Sequence, residues 1–140
     1  GDDTLIESVE QRVRASSILR DRVTLAGRVN HDEMPNYYGA ADILVSGSHS
    51  EGSGYAVIEA MSAGVVPVVT NISSFRAIAG DEHAAWTPGD ADGLARALVG
   101  TAAGDLEAQK TAAKNRFDRL LSWEAIGART VAEYRKLTRA

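Results

Sequence analysis

The stretch VVPVVTN, residues 65 to 71, constrains the fold of this 140-residue chain more than any other. A strand with water on one face alternates apolar and polar side chains. A strand that is apolar at nearly every position needs cover on both faces, the condition met in parallel sheets with helices on either side. The neighbouring sequence agrees. GYAVIEAMSAG, just before it, has helical spacing and closes on Gly64. A helix feeding such a strand is the usual crossover of a parallel sheet.

The same alternation runs along the chain. TLIESVEQRVRASSIL puts Ile6, Val9 and Val13 on one helical face. RVTLAG is a short apolar run ended by Gly27 and reads as the first strand. In HDEMPNYYGAADI, Asp32 is placed to cap a helix, and Met34, Tyr37, Tyr38 and Ala41 follow at helical spacing. Pro35 falls in the first turn of that helix, where its missing N–H is tolerated. ILVSG is a second strand, VVPVVTN a third and AAWT a weak fourth. After Asp90, a good N-cap, ADGLARALVGTA, DLEAQKTAAKNRFDRLL and SWEAIGARTVAEYRKLTR read as three helices. Trp123, Thr130, Tyr134 and Leu137 line one face of the last and are expected to be its packing contacts. Trp86 is expected in the core or at the sheet edge. The order α-β-α-β-α-β-(α)-β-α-α-α predicts an α/β fold with a parallel sheet and helical crossovers.

Charge and composition exclude several classes. Lys and Arg number 15 against 19 Asp and Glu, for a net charge of −4, and no basic block stands out. No nucleic-acid partner is expected. With no cysteine there is neither a disulfide framework nor a thiolate metal site. His31, His49 and His83 are far apart in sequence and form no ligand pair, so no metal is expected. No apolar run approaches the ~20 residues of a bilayer-spanning helix. No signal peptide is visible, and a cytoplasmic location is the expectation.

The chemistry concentrates in SHSEGSGYAVIEAMSAG, residues 48 to 64. In parallel α/β sheets, ligands bind beyond the carboxyl ends of the strands. This loop is such an end: the strand stops near Ser46 and a helix starts near Gly54. The first N–H groups of a helix lack intrahelical partners and carry the positive end of its dipole. Glycines let a ligand approach the backbone. Together these suit a phosphate. Glu51 and Glu59, eight positions apart, flank the feature. Glu59 lies off the apolar face made by Val57, Ala60, Met61 and Gly64. Two carboxylates beside an anion site make sense for a ligand with an anionic middle and hydroxyl-rich flanks, since carboxylates accept hydrogen bonds from sugar hydroxyls. A nucleotide sugar is such a ligand. A plainer reading stands beside this one. Glu51 is favourable near a helix N-terminus by dipole alone, Glu59 could be a solvated helix residue, and the glycines could serve only the turn.

SHSEGSGYAVIEAMSAGVVPVV resembles the signature of the family 4, retaining glycosyltransferases of the GT-B fold. Ser48, Glu51, Gly52, Gly54, Glu59, Ala60, Met61, Gly64, Pro67, Val68 and Val69 match it. RVTLAGRV, MPNYYGAADILVSGS, WTPGDADGLARAL and SWEAIGARTVAEY are similar to the surrounding segments, so the resemblance covers nearly the whole chain. It implies a Rossmann-like parallel sheet with helices on both faces, the incomplete C-terminal half of a GT-B fold. Residues 1–140 would be a partial nucleotide-sugar-binding domain and 122–139 its C-terminal tail helix. The implied function is donor binding in a retaining enzyme that moves a hexose from a nucleoside-diphosphate sugar to an acceptor. The resemblance implies that Glu59 holds the ribose hydroxyls and Glu51, the residue assigned to catalysis, faces the donor hexose. The backbone around Ser53, Gly54 and Tyr55 would meet the diphosphate or sugar, Ser48 and Gly52 are further donor-binding residues, and Gly27, Arg28 and Val29 would lie near the nucleobase. The donor is a substrate; no cofactor and no metal are implied.

The chain departs from the family pattern at several places. Ser53 stands where a bulky residue such as Phe is usual, Ser73 and Ser74 where many members have Gly-Gly, and Ala77 where a Glu is common. An acceptor-binding N-terminal domain, and the first strand, first helix and second strand of this domain, are expected outside these residues. That segment normally carries the Arg and Lys that neutralise the diphosphate. Arg28, Arg76 and Lys110 are substitutes on offer, each more in keeping with a solvated cation. The chain alone is expected to be inactive, and any membrane association would come through the absent half. A fragment with open sheet edges is expected to pair as a homodimer or to close up with RVTLAG beside ILVSG. The alternatives are a non-catalytic nucleotide- or phosphate-binding regulatory or scaffold module, and a nucleotide-sugar epimerase-like domain.

Overall fold

The computed structural model describes residues 3–81 and 83–138. It divides into two compact units, one ending at Met34 and one starting at Pro35.

In the first unit, α1 (Asp3–Ala15) packs against α2 (Ser17–Arg22). Ser16 Oγ caps α2 by accepting from the Leu19 N–H at 3.3 Å. Of RVTLAG, expected as a strand, Arg22 ends α2 and residues 23–27 are irregular. The Val23 N–H is spent closing α2, donating to the Leu19 carbonyl at 2.8 Å. Among the described residues nothing forms a ladder with the rest, and an unpaired segment has no means of becoming a strand. Val23 and Leu25 are exposed. Asp32 is not the cap expected of it. It lies inside a 3₁₀ turn, His31–Glu33, that opens at Asn30, whose carbonyl accepts from the Glu33 N–H at 3.0 Å. Helix α3 (Met34–Ala40), with Pro35 in its first turn, belongs to the second unit from Pro35 on.

In the second unit three parallel strands lie in the order β1 (Ile43–Ser46), β2 (Val66–Thr70), β3 (Ala85–Trp86). Ile43 pairs with Val66 and Ser46 with Val69; Thr70 pairs with Trp86. All five residues of β2 are buried. Successive strand residues point to opposite faces, so the central strand is covered on both, as its sequence predicts. Trp86 is buried on β3, also as expected.

Helices α4 (Tyr55–Ser62), α5 (Ser73–Ala79) and α7 (Leu106–Arg116) supply the main core with β2. Val57 and Met61, Val69, Phe75, Ile78 and Ala79, and Ala113 form one cluster. Arg116 ties α7 to α5: its Nε donates to the Ile78 carbonyl at 2.6 Å and its Nη2 to that of Ala77 at 3.1 Å. Helix α6 (Ala91–Ala103) packs on β2 and β3 and is capped as predicted, Asp90 Oδ1 accepting from the Gly93 N–H at 2.8 Å. A π-helical turn, Phe117–Leu121, joins α7 to α8 (Trp123–Leu137). The face of α8 expected to pack does not. Trp123 is 85% exposed, Tyr134 67% and Leu137 75%, and Thr130 is exposed too. α8 packs against the π-helical turn, and its apolar stripe is left uncovered among the described residues.

Candidate functional site

The three strands are parallel, so the loops after them gather at one edge of the sheet. The loop after β1 runs from Gly47 to Gly54; α5 opens just beyond β2, and Thr87 to Asp90 lead from β3 into α6. Thr70, 1% exposed at the end of β2, donates its hydroxyl to the Ser48 carbonyl at 2.6 Å. A Cβ on Gly47 would lie 3.6 Å from the Trp86 ring, and one on Gly89 would lie 3.9 Å from His49 Cε1. The β1 and β3 loops are therefore neighbours. His49 itself is exposed.

Helix α4 opens on Gly54, whose φ of 61° is in the left-handed region that favours glycine. Its backbone also runs close to the core: a Cβ there would meet Ile78 Cδ1 at 2.5 Å. Glu51 folds over this start. Its Oε1 accepts from the N–H groups of Gly52 at 3.0 Å and Gly54 at 3.3 Å. The N–H groups of Tyr55 and Ala56 have no partner among the described residues. Gly52, Ser53 and Tyr55 are exposed and Ser48 is half-buried. Residues 51–55 of the sequence-predicted loop thus gather at one helix N-terminus, whereas Ser48 is tied to the end of β2.

Glu59 is half-buried, and it is not a freely solvated helix residue. The phenol of Tyr38 donates to its Oε2 at 3.1 Å. Tyr38 is 7% exposed. Burial, and then the carboxylate that both accepts its proton and repels a phenolate, push Tyr38 from 10.0 up to about 12. Among the described residues Glu59 Oε1 has no partner.

The offered cations fare differently. Lys110 Nζ lies 2.6 Å from Asp42 Oδ1 and 3.2 Å from Glu107 Oε1, and these partners, Asp42 foremost, hold its ammonium above the usual lysine range. It is engaged in an ion-pair cluster. Arg76 is exposed on α5, its Nη1 donating to Asn71 Oδ1 at 2.8 Å. Asn71 follows β2 directly, so this guanidinium stands at the carboxyl end of the sheet. Gly27, Arg28 and Val29 belong to the first unit. Gly27 has a φ of 65°, and with Arg28 it borders a hollow of about 600 Å³ lined by Leu5, Ile6 and Val9. Among the described residues no cluster of His, Cys, Asp and Glu could hold a metal ion, and no helix is long and apolar enough to cross a membrane.

Sequence reasoning placed Tyr38 only on a helical face and did not single out Thr70. Each carries a hydroxyl in an apolar setting, next to a strand or within one. A hydroxyl buried there has to find an acceptor, and that is the signal that could have marked them.

Residues 7–116 match the family model described as glycosyl transferases group 1, and the chain belongs to that family. It is 29% identical over 137 residues to the O-antigen chain mannosyltransferase B of Escherichia coli, a match covering 97% of this chain and 35% of that protein. It is 38% identical over 82 residues to the mannosylfructose-phosphate synthase of Agrobacterium fabrum, covering 58% of this chain and 18% of that one. Among solved structures it is similar to a sucrose-phosphate synthase from Thermosynechococcus elongatus, a GT-B protein, at a TM-score of 0.74 and 28% identity, covering 95% of this chain and 34% of the other. The chain thus spans about a third or less of the length of these relatives.

Proposed function

We propose that this chain is the donor-binding part of a retaining glycosyltransferase, the C-terminal portion of its GT-B fold, and that its ligand is a nucleoside-diphosphate hexose. The observation that carries the reading is the pair Glu51, just before α4, and Glu59, within it. Each has one oxygen held by the protein and one without a protein partner, with unpartnered N–H groups of Tyr55 and Ala56 between them in sequence. Glu59 takes the ribose hydroxyls. The helix N-terminus takes the diphosphate. Glu51 turns its second oxygen to the hexose. Arg76 is the candidate cation, since Asn71 holds it at the ligand end of β2. Gly27, Arg28 and Val29 serve the nucleobase by resemblance to the family. No metal is called for in this reading.

The relatives' names include mannosyltransferases and a mannosylfructose-phosphate synthase, so a mannosyl donor is the first to try. The acceptor is bound by another part of the protein. Holding two reactants together can supply about 7–11 kcal/mol of a barrier, and a donor site alone does not do so. The isolated chain is inactive on this reading. It acts on the cytoplasmic side, and its uncovered β1 edge pairs with a second copy when the chain is studied alone.

Calorimetry with GDP-mannose, UDP-glucose and ADP-glucose tests the donor site. Weak binding is expected, with Glu59→Ala costing roughly 1.5–3 kcal/mol, the worth of a hydrogen bond to a charged group. Equal binding by wild type and variant would remove Glu59 from the site.

A further inference from the structure

We propose that Tyr38 is a positioning residue that sets Glu59 for a vicinal diol, so that the site selects ribose over deoxyribose. The inference rests on the nucleotide-sugar reading above. It starts from a hydrogen bond between residues 21 apart in sequence, Tyr38 Oη to Glu59 Oε2 at 3.1 Å. A glutamate has three side-chain torsions and loses freedom when it is held. Here the holding is done in advance by a buried ring on α3. Tyr38 is 7% exposed, whereas its neighbour Tyr37 is 49% exposed. For packing alone a phenylalanine would serve at 38. The hydroxyl has a specific acceptor, and it fixes Oε2 on the protein side. Oε1, without a protein partner among the described residues, is left for a ligand. A carboxylate oxygen has two lone-pair directions. One ribose hydroxyl donates to Oε1, and the adjacent one reaches the remaining lone pair of Oε2. Without the phenol the carboxylate is free to turn towards water and presents no fixed pair of acceptors.

The test titrates wild type, Tyr38→Phe, Glu59→Gln and the double variant with UDP, GDP and ADP, and with their 2′,3′-dideoxy counterparts. Tyr38→Phe is expected to weaken the ribonucleotide by roughly three- to tenfold, the scale of one net hydrogen bond. It leaves the dideoxy ligand unchanged and adds nothing once Glu59→Gln is present. Unchanged ribonucleotide affinity in Tyr38→Phe, with Glu59→Gln weakened, overturns the role of Tyr38 and leaves the donor site standing. Loss towards ribose and dideoxy ligands alike shows lost packing and also overturns it. A wild type that binds none of them overturns the donor-site reading and this inference together. A second readout needs neither ligand nor Tyr38→Phe. In an alkaline absorbance titration one tyrosine of Glu59→Gln is expected to ionise at lower pH than in wild type. Coincident curves overturn the proposal.

Discussion

The hydroxyl of Thr70 donates to the carbonyl of Ser48 across 2.6 Å, joining the end of β2 to the loop that follows β1. Loops at the ends of strands are usually mobile, and this one is tied by a side chain that is 1% exposed. Thr70→Val keeps the shape and removes the donor, leaving the carbonyl without it. The expected loss is about 1–2 kcal/mol in urea unfolding, with weaker nucleotide binding because the 48–54 loop loosens. A variant as stable as wild type would show that water replaces the hydroxyl.

Gly54 carries two demands at once, a left-handed φ of 61° and a Cβ position 2.5 Å from Ile78 Cδ1. Ile78 is in the core cluster, but the atom met is the far end of its side chain and can move. Gly54→Ala is therefore expected to cost roughly 1–3 kcal/mol, from left-handed strain together with modest overpacking. Gly52→Ala, with open space around it and no positive φ, is the control and is expected to be near neutral. Thermal unfolding of the two side by side measures the difference.

Tyr38 makes stability depend on pH in the alkaline range. Its pKa is raised in the folded chain, from 10.0 to about 12. The folded state then holds the phenol proton more tightly than the unfolded one. The contribution is full below pH 10, declines as pH rises, and is gone above about pH 12. At ~1.4 kcal/mol per pH unit the whole effect is roughly 2–3 kcal/mol. The comparison that isolates the phenol is wild type against Tyr38→Phe. Urea midpoints measured from about pH 9 upward are expected to converge as the phenol ionises, and parallel curves would contradict this account.

The sequence was most legible where a residue's local chemistry decides its structure. The run at Val66–Thr70 could only be a strand covered on both faces, and Asp90 caps α6 as its position before an Ala-rich periodic segment requires. Gly54 and Gly64, both at positive φ, punctuate α4 where the reading set its ends. The failures are of another kind. RVTLAG has strand composition, but a strand exists only with a partner, and composition says nothing of partners. The stripe of Trp123, Tyr134 and Leu137 has the spacing of a packed face, but spacing cannot say whether a covering surface is at hand. The loop and both glutamates of the candidate site were visible as a pattern. What was not visible is what each carboxylate holds on to. Glu51 bonds to backbone within its own loop, whereas Glu59 bonds to a tyrosine one helix and one strand earlier. The second kind of contact belongs to the fold and not to any local stretch.

β1 sits at the edge of the sheet, paired to β2 on one side only among the described residues. Natural edges are blunted by a lysine, a proline or a bulge. Ile43–Ser46 has none of these, and Val45 is 42% exposed. Residues 23–27, expected as part of the strand that would close the sheet, are not a strand. An unprotected edge satisfies its N–H and C=O groups most simply against a second copy of itself, edge to edge about a two-fold axis. The 140-residue chain is therefore expected to dimerise reversibly, with a weight-average mass that falls on dilution in sedimentation. Val45→Lys places a charge on the edge strand and should shift the equilibrium to monomer without changing the circular dichroism. A wild type that sediments as a monomer at every concentration, with a single cooperative thermal transition, would rule out edge pairing.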